Sequence, residues 1–206
     1  MNKKVWGLIL ALCLIVPVSL SAEVLDFSIG ATAQYKMPAD SVGDSTDDLL
    51  DVDNYRFGAE ARVKFLLIEA ADTALIGPTA DGVEVTNLMT AGLSLDLMNL
   101  VRLGVGLGPE FTMFIDDSGN VTTPDGDGEG GTEPFNFADV FMKSNCTYKV
   151  NADILLGGLT LSANYTVPSV GFNIDNIVTN GFDVNDLAPQ DFDKGRFGIS
   201  VLISLI

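Results

Sequence analysis

The charged residues of this chain that could take part in chemistry include acidic and basic residues at every second position of several segments. Cations and anions recur two residues apart, as at Glu60, Arg62 and Lys64. Side chains two positions apart on a strand share one face, so such groups would meet and neutralise one another. The spacing therefore predicts an ion-pair network. Its candidate members are Arg56, Glu60, Arg62, Lys64, Glu84, Asp96, Arg102, Glu110, Lys143 and Lys149.

One acidic cluster has spacing that suits a bound cation. The stretch DGDGEGGTE places Asp125, Asp127 and Glu129 at alternate positions before Gly130. Carboxylates at the first, third and fifth positions of a glycine-containing loop are the ligands that an EF-hand uses for Ca²⁺. The twelfth position is Asn136 instead of the bidentate glutamate, so the EF-hand pattern fails. The cluster is either a weak Ca²⁺ site or a solvated acidic loop, and no other cofactor is predicted.

The composition excludes several functional classes. The chain contains no histidine, so a serine–histidine triad and a histidine metal site are both excluded. It carries 28 Asp and Glu against 11 Lys and Arg, a net charge of −17, and offers no basic patch to neutralise nucleic-acid phosphates. Ser144 has only lysines nearby as candidate bases. We therefore expect a protein that is not an enzyme and does not bind nucleic acid.

The first 22 residues have the composition of a secretory signal peptide. Lys3 and Lys4 precede an apolar run over 5–18, and small residues lead up to Ala22. The run is shorter than the ~20 residues that span a bilayer. We expect cleavage after Ala22 and an exported domain over 23–206. A membrane anchor and lipidation of Cys13 are the alternatives.

The whole chain is 47% hydrophobic, and in the exported part apolar and charged residues are compatible because the two kinds alternate. From 25 to 37 every odd position is apolar or aromatic and every even position is polar or glycine, which is typical of a strand with two different faces. An eighth, weakly alternating strand is expected around 67–76, and long loops are expected at 38–54, 116–135 and 169–193. This order predicts an all-β, up-and-down antiparallel barrel of eight strands. The seven clearer strands fall at 25–37, 55–65, 83–97, 101–113, 138–154, 159–167 and 196–205.

Alternation alone does not say which face points outward. The polar face is nearly neutral, whereas the solvated face of an acidic protein has no reason to be neutral and a confined lumen has one. Aromatic residues lie near both ends of the apolar face, with Phe27 and Tyr35 on one strand and Tyr55 and Phe65 on the next. Their spacing of roughly 20–25 Å suits the apolar band of a membrane barrel. We expect a transmembrane barrel with a polar lumen, and a soluble lipocalin-like carrier is the alternative.

In architecture the chain resembles the small eight-stranded outer-membrane β-barrel proteins, a group that includes the OmpA transmembrane domain, OmpX and OmpW. The resemblance covers 23–206 and rests on the strand pattern instead of a motif. It implies the outer membrane of a diderm bacterium, contact with outer-membrane lipid and insertion by the barrel-assembly machinery. The implied role is a structural or surface-interaction barrel with acidic surface loops, whose extracellular ligand is unknown. The alternative is a narrow channel or transporter for small or apolar solutes.

Overall fold

The computed structural model describes residues 25–36, 51–80, 82–124 and 132–206. The predicted signal peptide, most of the first long loop, and Asp125, Asp127 and Glu129 lie outside the described residues. The described ranges are dominated by antiparallel strands. None of the helices in them is long and apolar enough to cross a membrane.

Eight strands form the wall of a closed barrel. Each strand pairs antiparallel with its neighbours, and the last strand pairs with the first, so no wall strand has a free edge. Closure satisfies the backbone hydrogen bonds around the whole wall. The wall strands are β1 (Leu25–Tyr35), β2 (Tyr55–Phe65), β3 (Ile68–Thr79), β4 (Gly82–Leu97), β5 (Val101–Asp116), β8 (Cys146–Leu156), β9 (Leu159–Pro168) and β10 (Arg196–Ser204).

The remaining elements lie in the long connections at one end of the barrel. A hairpin of β6 (Val121–Pro124) and β7 (Thr132–Pro134) extends from β5, and helix α1 (Phe137–Lys143) follows it. Helix α2 (Ile174–Asn180) and two 3₁₀ turns lie between β9 and β10. The opposite end carries only tight turns, at 66–67, 98–100 and 157–158. The long connections all lie at one end, where β3 and β4 are joined by only two residues, 80 and 81.

The strand register is staggered around the wall. One circuit of paired residues climbs about ten positions along β1, which is the shear that tilts the strands of a closed barrel. The circuit runs from Leu25 through Phe65, Ile68, Leu93, Val105, Val150, Tyr165 and Phe197, whose neighbour Gly198 pairs with Gln34.

The polar face of every wall strand points inward. In β1 the buried positions include Asp26, Ser28 and Thr32, whereas Leu25 and Ile29 are exposed. Glu60, Arg62 and Lys64 in β2 are at most 2% exposed. The alternative of a soluble carrier with an apolar lumen is therefore contradicted, because the apolar side chains form the outside of the barrel.

The weakly alternating third strand is confirmed and runs from Ile68 to Thr79. Its alternation is weak in sequence because two small or apolar residues, Ala71 and Leu75, take inward positions beside Glu69 and Thr73. In the next strand, β4, the apolar–polar alternation is interrupted at Asn87 and Leu88, but the strand register is continuous. Leu88 of β4 simply points into the lumen, where it is 4% exposed.

The prediction of a strand over 138–154 is wrong in its first part. Residues 137–143 form α1, and β8 begins only at Cys146. Asn136 starts the helix because its side chain accepts a hydrogen bond from the Ala138 amide. Asp139 in the first turn and Lys143 in the last turn both interact favourably with the helix dipole. In this segment the capping interactions of a short helix therefore outweigh the two-residue alternation that predicts a strand.

Glycines allow close contact between wall strands, and Gly58 gives a test. A Cβ atom added there would lie 1.8 Å from the Ala74 carbonyl oxygen of β3. We expect Gly58→Ala to destabilise the barrel by about 1–3 kcal/mol, because backbone must move to admit it. Urea unfolding of the refolded protein measures the change. Gly158→Ala in an inner turn, where a Cβ meets nothing within 4 Å, is the control; equal loss in both variants would contradict the prediction.

Candidate functional site in the barrel lumen

The centre of the lumen holds a four-residue ion cluster. Arg62 Nε donates to Glu60 Oε1 at 2.5 Å, and Arg62 Nη1 donates to Asp153 Oδ2 at 2.7 Å. Lys149 Nζ reaches the same Glu60 Oε1 at 2.6 Å. These contacts connect β2 and β8 across the lumen. Ser200 of β10 joins them by donating a hydrogen bond to Glu60 Oε2 at 2.6 Å. Each central charge faces an opposite charge, which a buried ion requires.

A second cluster occupies the end with short turns. Arg102 of β5 donates from Nε to Asp96 Oδ1 at 2.7 Å and from Nη2 to Asp26 Oδ2 at 2.8 Å. Lys64 of β2 also donates to Asp96. These four side chains come from four different strands, and each is nearly buried. The cluster therefore ties together β1, β2, β4 and β5.

Two smaller groups lie toward the end with long loops. Arg56 makes a two-bond contact with Glu84, at 2.8 and 2.9 Å, and Lys36 lies 3.4 Å from the same carboxylate. Gly77 of β3 makes room for them, because a Cβ there would meet all three side chains within 2.9 Å. Arg196 of β10 pairs with Glu110 of β5. The planar guanidinium of Arg56 suits its two-bond pairing with the Glu84 carboxylate.

Nine of the ten predicted network residues are brought into these clusters. Lys143 is the exception: it lies in α1 and is exposed, because its segment is helical instead of being a wall strand. Asp139, which the same alternation places on the polar face, also leaves the lumen. Glu69 enters it, on the strand whose alternation was weakest.

The corrected polar face is electrically neutral. In the described wall strands and the adjoining Lys36, seven basic side chains face seven acidic ones. The basic residues are Lys36, Arg56, Arg62, Lys64, Arg102, Lys149 and Arg196, and the acidic residues are Asp26, Glu60, Glu69, Glu84, Asp96, Glu110 and Asp153.

Side chains fill most of the lumen. Leu75, Leu88 and Leu202 are at most 4% exposed and pack among the polar groups. A polar cavity of about 300 Å³ remains at the short-turn end, lined by residues that include Asp26, Asp96, Arg102 and Thr160. Toward the long-loop end, the space beside Lys149 and Leu88 is only about 10 Å³, close to the minimum that one water molecule needs. The described side chains therefore leave little room for water in this part of the lumen.

The predicted Ca²⁺ ligands Asp125, Asp127 and Glu129 lie outside the described residues, so the Ca²⁺ hypothesis stays a prediction. Within the described ranges, no three Asp, Glu, Cys or His side chains form a group that could hold a metal ion. The chemistry of the lumen site in these ranges is ion pairing.

No protein-family model and no curated protein matches the chain. Among solved structures it is similar to the crystal structure of Neisserial surface protein A (NspA), with a TM-score of 0.40 and 12% sequence identity. The match covers 88% of this chain and 98% of that chain. The predicted architecture, an eight-stranded antiparallel barrel of the kind found among small outer-membrane proteins, is confirmed by strand pairing and closure.

The central cluster makes Arg62 the most informative residue to remove. Arg62→Ala would leave Glu60 and Asp153 short of a partner in a confined space. We expect a loss of about 3–5 kcal/mol in unfolding free energy, the range for breaking a buried ion pair. Urea unfolding of the refolded barrel measures it.

Lys143→Ala is the matched control, since it removes a cation that the structure places outside the network. We expect it to change the unfolding free energy by about 0.5 kcal/mol or less. An equal loss from both substitutions would contradict the ion-pair network described here.

Proposed function

We propose that the protein is a non-enzymatic barrel of the outer membrane of a diderm bacterium, with a structural or surface-interaction role carried by its acidic loops. One observation carries this proposal: apart from Asp72 and Asn87, the described wall is apolar outside, and its charged side chains point inward. A soluble protein would expose its charges to water, whereas lipid selects the opposite arrangement. Export through a cleaved signal peptide and insertion by the barrel-assembly machinery are parts of the proposal.

The exterior has the length and composition that lipid contact requires. Outward residues such as Leu93, Val150 and Ile199 are 61%, 53% and 64% exposed. Phe57 and Phe65 lie eight positions apart on β2, which corresponds to roughly 20 Å along a tilted wall. Tyr35 and Tyr55 stack edge-on beyond Phe57, with ring centroids 5.3 Å apart. Aromatic rings near the ends of the apolar exterior suit the boundary between lipid tails and headgroups.

The two ends of the barrel differ in charge, which supports placing the long loops outside the cell. The short turns contain no charged residue. Apart from Lys36, which lies beside Glu84 in the lumen, the described long connections carry many acids and only two bases, Lys143 and Lys194. Long extracellular loops and short periplasmic turns are usual in barrels of this kind. The acids are Asp51, Asp53, Asp116, Asp117, Glu133, Asp139, Asp175, Asp183, Asp186, Asp191 and Asp193.

The loop end has its own packing, as a surface used for interaction needs. Phe137 of α1 packs edge-on against Phe111 of β5 and stacks on Phe141, with centroids 5.9 and 5.8 Å apart. Hydroxyls of Tyr148 and Tyr165 donate to carbonyls in the β9–β10 connection. These contacts hold acidic groups in fixed positions above the wall.

The filled lumen argues against the alternative of a channel. A conducting path needs water beside its charged groups. Here Glu60 and Arg62 are 0% and 2% exposed, and each is fully engaged with protein partners. We infer that the barrel interior stabilises the fold and that binding takes place at the loop end.

Orientation can be tested with a small epitope tag on intact cells. A tag after Gly119, between β5 and β6, should bind antibody without permeabilisation, because this turn lies at the long-loop end. A tag after Gly158 at the opposite end is the control and should bind only after permeabilisation. The reverse pattern would contradict the orientation, and labelling of both sites on intact cells would contradict membrane insertion.

Planar-bilayer recording tests whether the lumen conducts. We expect no steady current from the wild-type protein, because the central cluster leaves no continuous aqueous path. Arg62→Ala should give at most brief, irregular openings together with lowered stability. A steady wild-type current whose ion selectivity shifts in a stable Arg62→Ala variant would favour the transporter, since wet lumen charges are already solvated.

A further inference from the structure

Among the Asp, Glu, Lys and Arg side chains of the described wall strands, one points to the apolar outside. Asp72 of β3 is exposed there, with its side chain directed away from the lumen. It lies four positions from Ile68, which pairs with Phe65, and four positions from Ile76, which pairs with Phe57. These two apolar pairs lie toward opposite ends of the exterior, so Asp72 is at its middle, roughly 10 Å from each.

A carboxyl group at this depth is costly in lipid, and such residues mark functional sites by default. Its side chain is too short to reach the headgroups. Every Lys and Arg of the described wall strands points inward, so none can neutralise Asp72. Its hydrogen-bond donor is the Asn87 amide of β4, at 2.9 Å from Nδ2 to Oδ1. The wall therefore presents a polar pair to the bilayer.

Small side chains lie on one side of this pair, while on the other side Asp72 is opposite Met89 of β4 and Asn87 is opposite Phe111 of β5. Ala61 lies opposite Asp72, and Ala74 lies opposite both Ala59 and Asn87. The next outward pair toward the short-turn end is Ala70 with Ala91. Small residues let another protein surface approach the backbone closely within a membrane. We call the seven residues Asp72, Asn87, Ala59, Ala61, Ala70, Ala74 and Ala91 the Asp72 patch.

We propose that the Asp72 patch is the interface of a homodimer in the membrane, an inference that rests on the proposed membrane location. A two-fold axis along the membrane normal brings identical residues of two copies to the same depth. The Asn87 amide has two N–H donors and uses one on its own Asp72. Its second N–H can donate to Asp72 of the other copy, and the reverse bond follows by symmetry. Two such bonds close a ring that joins both polar pairs.

A second copy is the occupant that the patch itself favours, because donor and acceptor lie side by side on one surface. A cationic membrane partner would also satisfy a carboxylate, but it would use only the charge of Asp72. A second copy and a cationic partner can be distinguished by the substitution Asp72→Asn. The dimer depends on hydrogen bonding at position 72, which an asparagine side chain keeps although it carries no charge.

Disulfide trapping in lipid tests the proposal. The protein, in a Cys146→Ser background, is refolded into phosphatidylcholine vesicles, and folding is checked by heat-modifiable gel migration. Ala74→Cys reports contact at the patch. Ala163→Cys, an outward position near the middle of β9 across the barrel, is the matched control. Under oxidant, we expect a dimer band for Ala74→Cys at lipid dilutions where Ala163→Cys stays monomeric.

Substitutions at the polar pair then identify the occupant. Asp72→Leu and Asn87→Leu should each weaken dimerisation about tenfold in lipid-dilution series, while both still fold because each removes a polar group from lipid. Asp72→Asn should dimerise at least as well as wild type. Equal trapping at positions 74 and 163, full dimerisation of Asp72→Leu, or loss of it in Asp72→Asn would each overturn the proposal. Failure of the protein to enter vesicles would instead contradict the membrane location.

Discussion

Confinement of charge in a narrow lumen is the constraint on which the rest of this structure depends. Eight strands enclose a space that side chains nearly fill, so an inward-facing ion has little water and must find a protein partner. Arg62 meets this requirement through carboxylates on β2 and β8. Because some partners, such as Arg62 and Asp153, lie on non-adjacent strands, pairing these charges also constrains how the wall curves and closes. Neutrality inside and an apolar surface outside are two consequences of the same closure.

The distribution of charge along the barrel follows from this constraint. Lumen cations are all used by lumen anions, so the excess acid of the chain must lie elsewhere. Among the described residues, most of it lies in the long connections, where groups such as Asp183 are solvated and also cap local turns. Stability and surface chemistry are thereby separated. The interior can hold the fold together while the loops change composition without disturbing any ion pair.

The sequence predicts the wall well because a strand repeats every two residues and a barrel imposes two different environments. Closure, face assignment and nine of ten network residues follow from that repeat. Lys143 was misplaced because its neighbours alternate by coincidence, while the decisive signal is local: Asn136 caps a helix. Glu69 was missed because alanine and leucine share its face on β3. Which carboxylate pairs with which cation depends on the stagger of strands far apart in sequence, and no local pattern contains that information.

Asp72 is an exception to the rule that polar side chains of the wall point inward and apolar side chains point outward. The rule places polar groups inside, and the wall strands follow it at nearly every charged position, so an exception at mid-height needs its own physical reason. The Asn87 contact engages one carboxyl oxygen, and although Met89 lies opposite Asp72 on β4, the residues on the β2 side are alanines that leave the group exposed. A larger residue at Ala59 or Ala74 could have shielded it from lipid within one chain. Small residues there are consistent with a surface that is covered by protein, because they leave the polar pair within reach of a second wall.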